Sequence, residues 1–122
     1  MSKKPSFSKS LKFAIEGIHS TARTERNFRI HIFIAIFTVI ACIFFRVDTV
    51  YFAFVLTAIF AVLVTELINT AIERLVDLLT AKKQSPLAKL AKDAAAGAVL
   101  LASVFAVLIG LLTAWSVIRR YI

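Results

Sequence analysis

The sequence predicts an all-α integral membrane protein, with three transmembrane helices preceded by an amphipathic helix at the membrane surface. Three observations predict it. Sixty per cent of the 122 residues are hydrophobic and the mean hydropathy is +0.86, far too apolar for a soluble domain of this size. The apolar residues gather into three long runs, about Ile30 to Phe45, Val50 to Leu79 and Ala94 to Ile118. Each run is at or near the roughly 20 residues that a spanning helix needs. With three glycines and two prolines in the whole chain, helices are favoured over the strands of a barrel.

One domain is expected over 1–122, taken in four parts. Residues 6–29 form a surface helix and connector: Phe7, Leu11, Ala14, Ile15 and Ile18 recur at helical spacing, with Lys9, Lys12, Glu16 and His19 opposite them. Residues 30–46 make the first span, the shortest of the three, which must borrow flanking residues. Residues 50–80 make the second, whose last third is amphipathic. Residues 86–118 make the third, with Ser85-Pro86 as the loop signal and Pro86 suited to the first helical position. No secretory signal peptide is expected, since the first apolar run begins only near residue 30 and lacks a small-residue cleavage pattern. Cys42 lies within that run and reads as a packing residue.

The net charge of +8 is placed so as to orient the chain, and no nucleic-acid partner is expected. Seven basic residues from Lys3 to Arg29 precede the first span, and Lys82, Lys83, Lys89 and Lys92 lie between the second and third, with only Arg46 in the first loop. By the positive-inside rule the N-terminus and the second loop are cytoplasmic. Arg119 and Arg120 then fall outside, against the rule, but the other clusters are larger and come earlier.

The chemistry lies on the second span. At about 100° per residue, Glu66, Asn69, Glu73 and Asp77 fall within an arc of roughly 80° on one helix face. A carboxylate at membrane depth costs roughly 2.5 to 3.5 kcal/mol even on lenient scales, so Glu66 reads as functional. Glu73 lies about 10 Å further along the axis, which gives the two acids different tasks. Glu66 faces a membrane-borne substrate as a general base. Glu73, with Glu25 from the segment before the first span, would make a pair for Mg²⁺, which takes one or two carboxylates plus water and substrate phosphates. Lys92 and Asp93 are expected to open the third helix, where a lysine and unpaired amides favour phosphate. The chain has no glycine-rich phosphate loop, so a nucleotide site must be built from helix side chains. His19 and His31 have no metal-ligand companions at a suitable spacing. Other readings stand beside these: Glu73 and Asp93 as ordinary helix-end acids, Asn69 as an interhelical hydrogen-bonding group, and the whole chain as a small proton-coupled transporter or a non-catalytic assembly protein.

Three motifs carry a resemblance: Arg23-Thr-Glu25-Arg-Asn27-Phe28, then Glu66-Leu-Ile-Asn69-Thr-Ala-Ile-Glu73-Arg-Leu-Val-Asp77, then Ala91-Lys92-Asp93-Ala-Ala-Ala-Gly97. In order and spacing they resemble the small bacterial integral-membrane lipid kinases, diacylglycerol kinase and undecaprenol kinase. The resemblance implies a homotrimer that transfers the γ-phosphoryl group of Mg-ATP to a lipid alcohol, with a composite site drawn from neighbouring subunits. It implies Glu66 as catalytic base, Glu25 and Glu73 as magnesium ligands that also meet the nucleotide, and Lys92 and Asp93 as nucleotide contacts. Asn69 and Asp77 support the site. Lys9 and Phe13 fall near positions that meet the nucleotide in relatives, while Ser6 stands where an arginine is common. The loop Ala81 to Ala88 is expected over the nucleotide. The stretches from Thr21 to Phe28 and from Pro86 to Asp93 look closest to the Gram-positive branch, which implies undecaprenol as substrate, with diacylglycerol as the alternative.

Overall fold

The computed structural model describes residues 3–122, and its elements are four helices: α1 (Phe7–Thr24), α2 (Arg26–Phe44), α3 (Thr49–Thr80) and α4 (Pro86–Ile118). No strand occurs among the described residues. α2, α3 and α4 are each long and apolar enough to cross a membrane. A helix satisfies every interior backbone amide within itself, which is what hydrocarbon demands. The threonines of the spans do the same: Thr38, Thr57, Thr65 and Thr113 each return their hydroxyl to the carbonyl one turn back, at 2.7 to 2.8 Å.

Local sequence sets the helix ends. Ser6 caps α1 and Ser85 caps α4, each hydroxyl accepting from the amide three residues on, and Pro86 takes the first position of α4. α2 stops at Phe44, short of the expected 46, because Arg46 turns into the left-handed region (φ 49°) and Val47 N–H closes back on the Cys42 carbonyl. α3 ends the same way: Ala81 (φ 51°) and Lys82 (φ 61°) are both left-handed, and Lys82 N–H bonds the Asp77 carbonyl.

The start of the first span differs from the sequence expectation. The stretch before residue 30 holds no extended connector: α1 runs on to Thr24, Glu25 alone leaves helical geometry (φ −107°, ψ 111°), and α2 begins at Arg26. Hydroxyl bonds from Thr21 to Gly17 O and from Thr24 to Ser20 O keep the polar end of α1 helical. The Arg29 guanidinium donates to the carbonyls of Ala22 and Arg23 at 3.0 and 2.9 Å, satisfying the end of α1 from the first turn of α2.

α3 is the central helix. It packs along α4 as an antiparallel hairpin and touches both α2 and the end of α1, whereas α2 and α4 do not pack against each other. Its buried residues Val55, Ala58, Val62, Glu66 and Thr70 recur every three or four positions and so form one stripe. Glu66 therefore occupies a packing position. Between α2 and α4 lie two mostly apolar cavities of about 310 and 420 Å³, which share Thr38, Val55 and Gly110. Phe33, Phe37, Phe44, Leu100, Leu101 and Leu108 face outward, as lipid-facing residues do.

Phe28 is the most deeply buried large side chain, 2% exposed, at the elbow where α1 meets α2. Phe→Ala costs about 3–5 kcal/mol in a water-soluble core, and lipid recovers part of that in a membrane, so Phe28→Ala is expected to destabilise by about 2 kcal/mol or more. The check is a lower Tm in detergent.

Candidate active site

α3 has 32 residues, or about 48 Å of helix, against a hydrocarbon thickness of about 30 Å. Counting from Thr49, Glu66 lies roughly 25 Å along the helix, still within that thickness, while Glu73 at roughly 36 Å and Asp77 at roughly 42 Å lie beyond it. A slab of that thickness laid from Thr49 would end between Glu66 and Glu73. α4 runs alongside α3, which brings its first turns level with the end of that helix.

Each acid of the stripe meets a different partner. Glu66 is 5% exposed, and its Oε1 lies 3.2 Å from His31 Nε2 on α2. Glu73 Oε1 accepts from Asn69 Nδ2 at 3.3 Å within α3. Asp77 Oδ1 accepts from Lys92 Nζ at 2.6 Å across the α3–α4 hairpin. Asp77 therefore both ends α3, through its carbonyl, and ties α3 to α4, through its carboxylate.

Glu25 enters from another direction. It is the single residue between α1 and α2, and half-buried. Arg74 Nη2 donates to Thr24 Oγ1 at 2.8 Å, which brings this joint alongside the turn of α3 that carries Glu73. No cluster of three or more His, Cys, Asp or Glu side chains gathers among the described residues. Magnesium does not require one, since one or two carboxylates suffice when phosphates and water complete the shell. The donors here suit that ion: the carboxylates of Glu25 and Glu73, and the Oδ1 of Asn69, a buried oxygen with no hydrogen-bond partner. Asn69 holds one oxygen of Glu73 and leaves the other free.

Lys92 and Asp93 do not open the third helix. α4 starts at Pro86, so both lie nearly two turns inside it, with their amides in the helical ladder. No unpaired amide is therefore offered to phosphate at these residues, and only their side chains are available. Those side chains line a cavity of about 660 Å³ under the α3–α4 turn, where Lys82, Lys83, Lys89 and Lys92 face Asp77 and Asp93. The excess of lysine suits a polyphosphate. Asp93 is paired with Lys89 on its own helix face. The loop from Ala81 to Ala88 forms part of that cavity's wall.

Lys9 and Phe13 lie on the exposed part of α1, and no hydrogen bond or ion pair joins either side chain to the stripe among the described residues. The reading from sequence missed His31. A search for metal-ligand spacing cannot find a histidine whose partner is 35 positions away on another helix. The usable signal was its place: a polar residue on the apolar first span calls for a partner.

The fold is that of a polytopic helical membrane protein with its polar groups gathered at one end. The chain belongs to the prokaryotic diacylglycerol kinase family, whose profile matches residues 12–114. It is 45% identical over 106 residues to an undecaprenol kinase of Bacillus subtilis, covering 87% of this chain and 85% of that protein. It is 39% identical over 106 residues to a diacylglycerol kinase of a Synechocystis species, covering 87% of this chain but 61% of that one. A diacylglycerol kinase of Helicobacter pylori is 33% identical over 101 residues, covering 83% of this chain and 78% of the relative. The relatives' names describe lipid phosphotransferases, and the three spans suit a bacterial membrane protein of this family.

Proposed function

We propose that the protein is a magnesium-dependent kinase that transfers the γ-phosphoryl group of ATP to undecaprenol, regenerating a lipid-carrier phosphate at the cytoplasmic face of a bacterial membrane. The observation that carries this reading is the spread of the acidic stripe along α3, from Glu66, buried against His31, to Asp77, half-buried and paired with Lys92 at the lysine-lined cavity under the α3–α4 turn. On this reading Glu66 would meet a hydroxyl that stays in the membrane, and Glu73, Asp77 and Lys92 a nucleotide that stays in water. Undecaprenol is favoured over diacylglycerol by the higher identity and fuller coverage of the relative named for it.

Phosphoryl transfer asks a protein mainly for alignment and charge neutralisation. Glu66 accepts the proton of the lipid hydroxyl as the oxygen bonds to the γ-phosphorus, the bond to the β-phosphate oxygen breaks, and ADP leaves. Glu25, Glu73 and the free oxygen of Asn69 would hold Mg²⁺, which when bound neutralises charge on the phosphates. Lys92, held by Asp77, turns an ammonium toward the same cavity, and Asp93 borders it. Lys9 and Phe13 would approach the nucleotide only if α1 or a neighbouring subunit brings them there. A homotrimer would supply such a neighbour, and the exposed apolar faces of α1, α2 and α4 leave room for one.

Purified protein given labelled ATP and a panel of lipid alcohols is expected to label undecaprenol most efficiently, in a Mg²⁺-dependent manner, as judged by kcat/KM. A preference for diacylglycerol would overturn the substrate assignment while leaving the lipid kinase intact. Absence of lipid-dependent ATP turnover would overturn both.

A further inference from the structure

We infer that His31 is the positioning residue of Glu66: the imidazole on α2 fixes one oxygen of the α3 carboxylate and so aims the other at the lipid hydroxyl. The inference rests on the reading of Glu66 as the base.

The geometry is specific as to atom. His31 Nε2 lies 3.2 Å from Oε1, which leaves Oε2 as the oxygen free to take a proton. Among the described residues, His31 is the one basic group within ion-pair distance of Glu66. Two other nearby polar groups are engaged elsewhere. The Thr65 hydroxyl returns to the carbonyls of Ala61 and Val62, and Asn69 Nδ2 goes to Glu73. The buried neighbours of Glu66 along its stripe, Val62 and Thr70, offer no charge.

Burial makes the contact matter. A carboxylate 5% exposed has little water to orient it, and an unguided side chain samples several rotamers. Misplacing a reacting group by about 1 Å can cost about 10²-fold in rate. His31 is itself well covered, its side chain 24% exposed. It lines the cavity of about 310 Å³ between α2, α3 and α4, and it is the one titratable side chain in that lining. The imidazole therefore stands between the base and the apolar side from which a membrane alcohol comes. Because the partners lie on different helices, the pair also sets the register of α2 against α3 at the level of the chemistry.

Full-length protein in lipid, assayed with undecaprenol and labelled ATP, tests this. His31→Leu keeps the bulk and removes the polar edge, and it is expected to lower kcat by about 10- to 100-fold with the KM for ATP unchanged. His31→Gln restores an N–H of similar reach and is expected to recover most of the loss. A second readout does not depend on how the His31 variants fold. With His19 replaced by Gln, His31 is the only imidazole left of the two, and its ring ¹⁵N resonances are expected to shift when Glu66→Gln is added. Wild-type kcat in His31→Leu, equal damage in the Leu and Gln variants, or unmoved ¹⁵N resonances would overturn the inference. Near wild-type turnover in Glu66→Gln would instead overturn the base assignment on which it rests, so the two failures are distinguishable.

Discussion

Glu66→Gln is expected to reduce lipid phosphorylation by about 10²- to 10⁴-fold, the range that a positioned general base contributes, while Mg-ATP still binds. The two halves of that result have separate causes. Glutamine keeps the shape of a residue packed in the buried stripe of α3 and can still meet His31, so the fold is retained, but an amide cannot take the hydroxyl proton. The proposed nucleotide end is untouched, because Glu73 and Asp77 lie roughly two and three turns further on along α3. A filter-binding or calorimetric Kd for Mg-ATP, set beside kcat, checks both halves. Near wild-type turnover would remove Glu66 from the chemistry.

Glu73→Gln is expected to act on magnesium rather than on the proton. It removes one of two carboxylates from an all-oxygen donor set, so the Mg²⁺ concentration for half-maximal activity should rise by about tenfold or more, with kcat down by about 10²-fold. Asn69→Ala should give a milder version. It removes a neutral oxygen from the donor set and the 3.3 Å hydrogen bond that holds Glu73 but leaves both carboxylates, so the rise should be only about threefold. A magnesium titration of turnover for the two variants checks the ordering. An unchanged magnesium requirement in Glu73→Gln would move the metal elsewhere.

What could be read from the sequence was what repeats along one helix. The three spans follow from apolar run length, and the stripe from Glu66 to Asp77 follows from the 3.6-residue period, because both are properties of a single element. Pro86 after Ser85 is likewise a local signal, and α4 begins there. The misses arose where two elements meet. Lys92 and Asp93 seemed to begin a helix because the longest apolar run starts after them, but the helix begins nearly two turns earlier, at Pro86 behind the Ser85 cap. Residues 6–29 read as a surface helix and connector, and helix in fact runs to Thr24 on threonine back-bonds and resumes at Arg26 after the single residue Glu25. His31 and Arg74 became meaningful only once α2 and the end of α1 were set against α3.

The one-residue joint at Glu25 has a mechanical consequence. Two rods, the amphipathic α1 and the apolar span α2, meet at a single φ, ψ pair, and that pair belongs to a carboxylate bearer. The direction of α1 and the aim of the Glu25 side chain are therefore not independent variables. α1 is a lever with Glu25 at its fulcrum, and the arginines that bind the elbow, Arg29 and Arg74, are the pins that fix its angle.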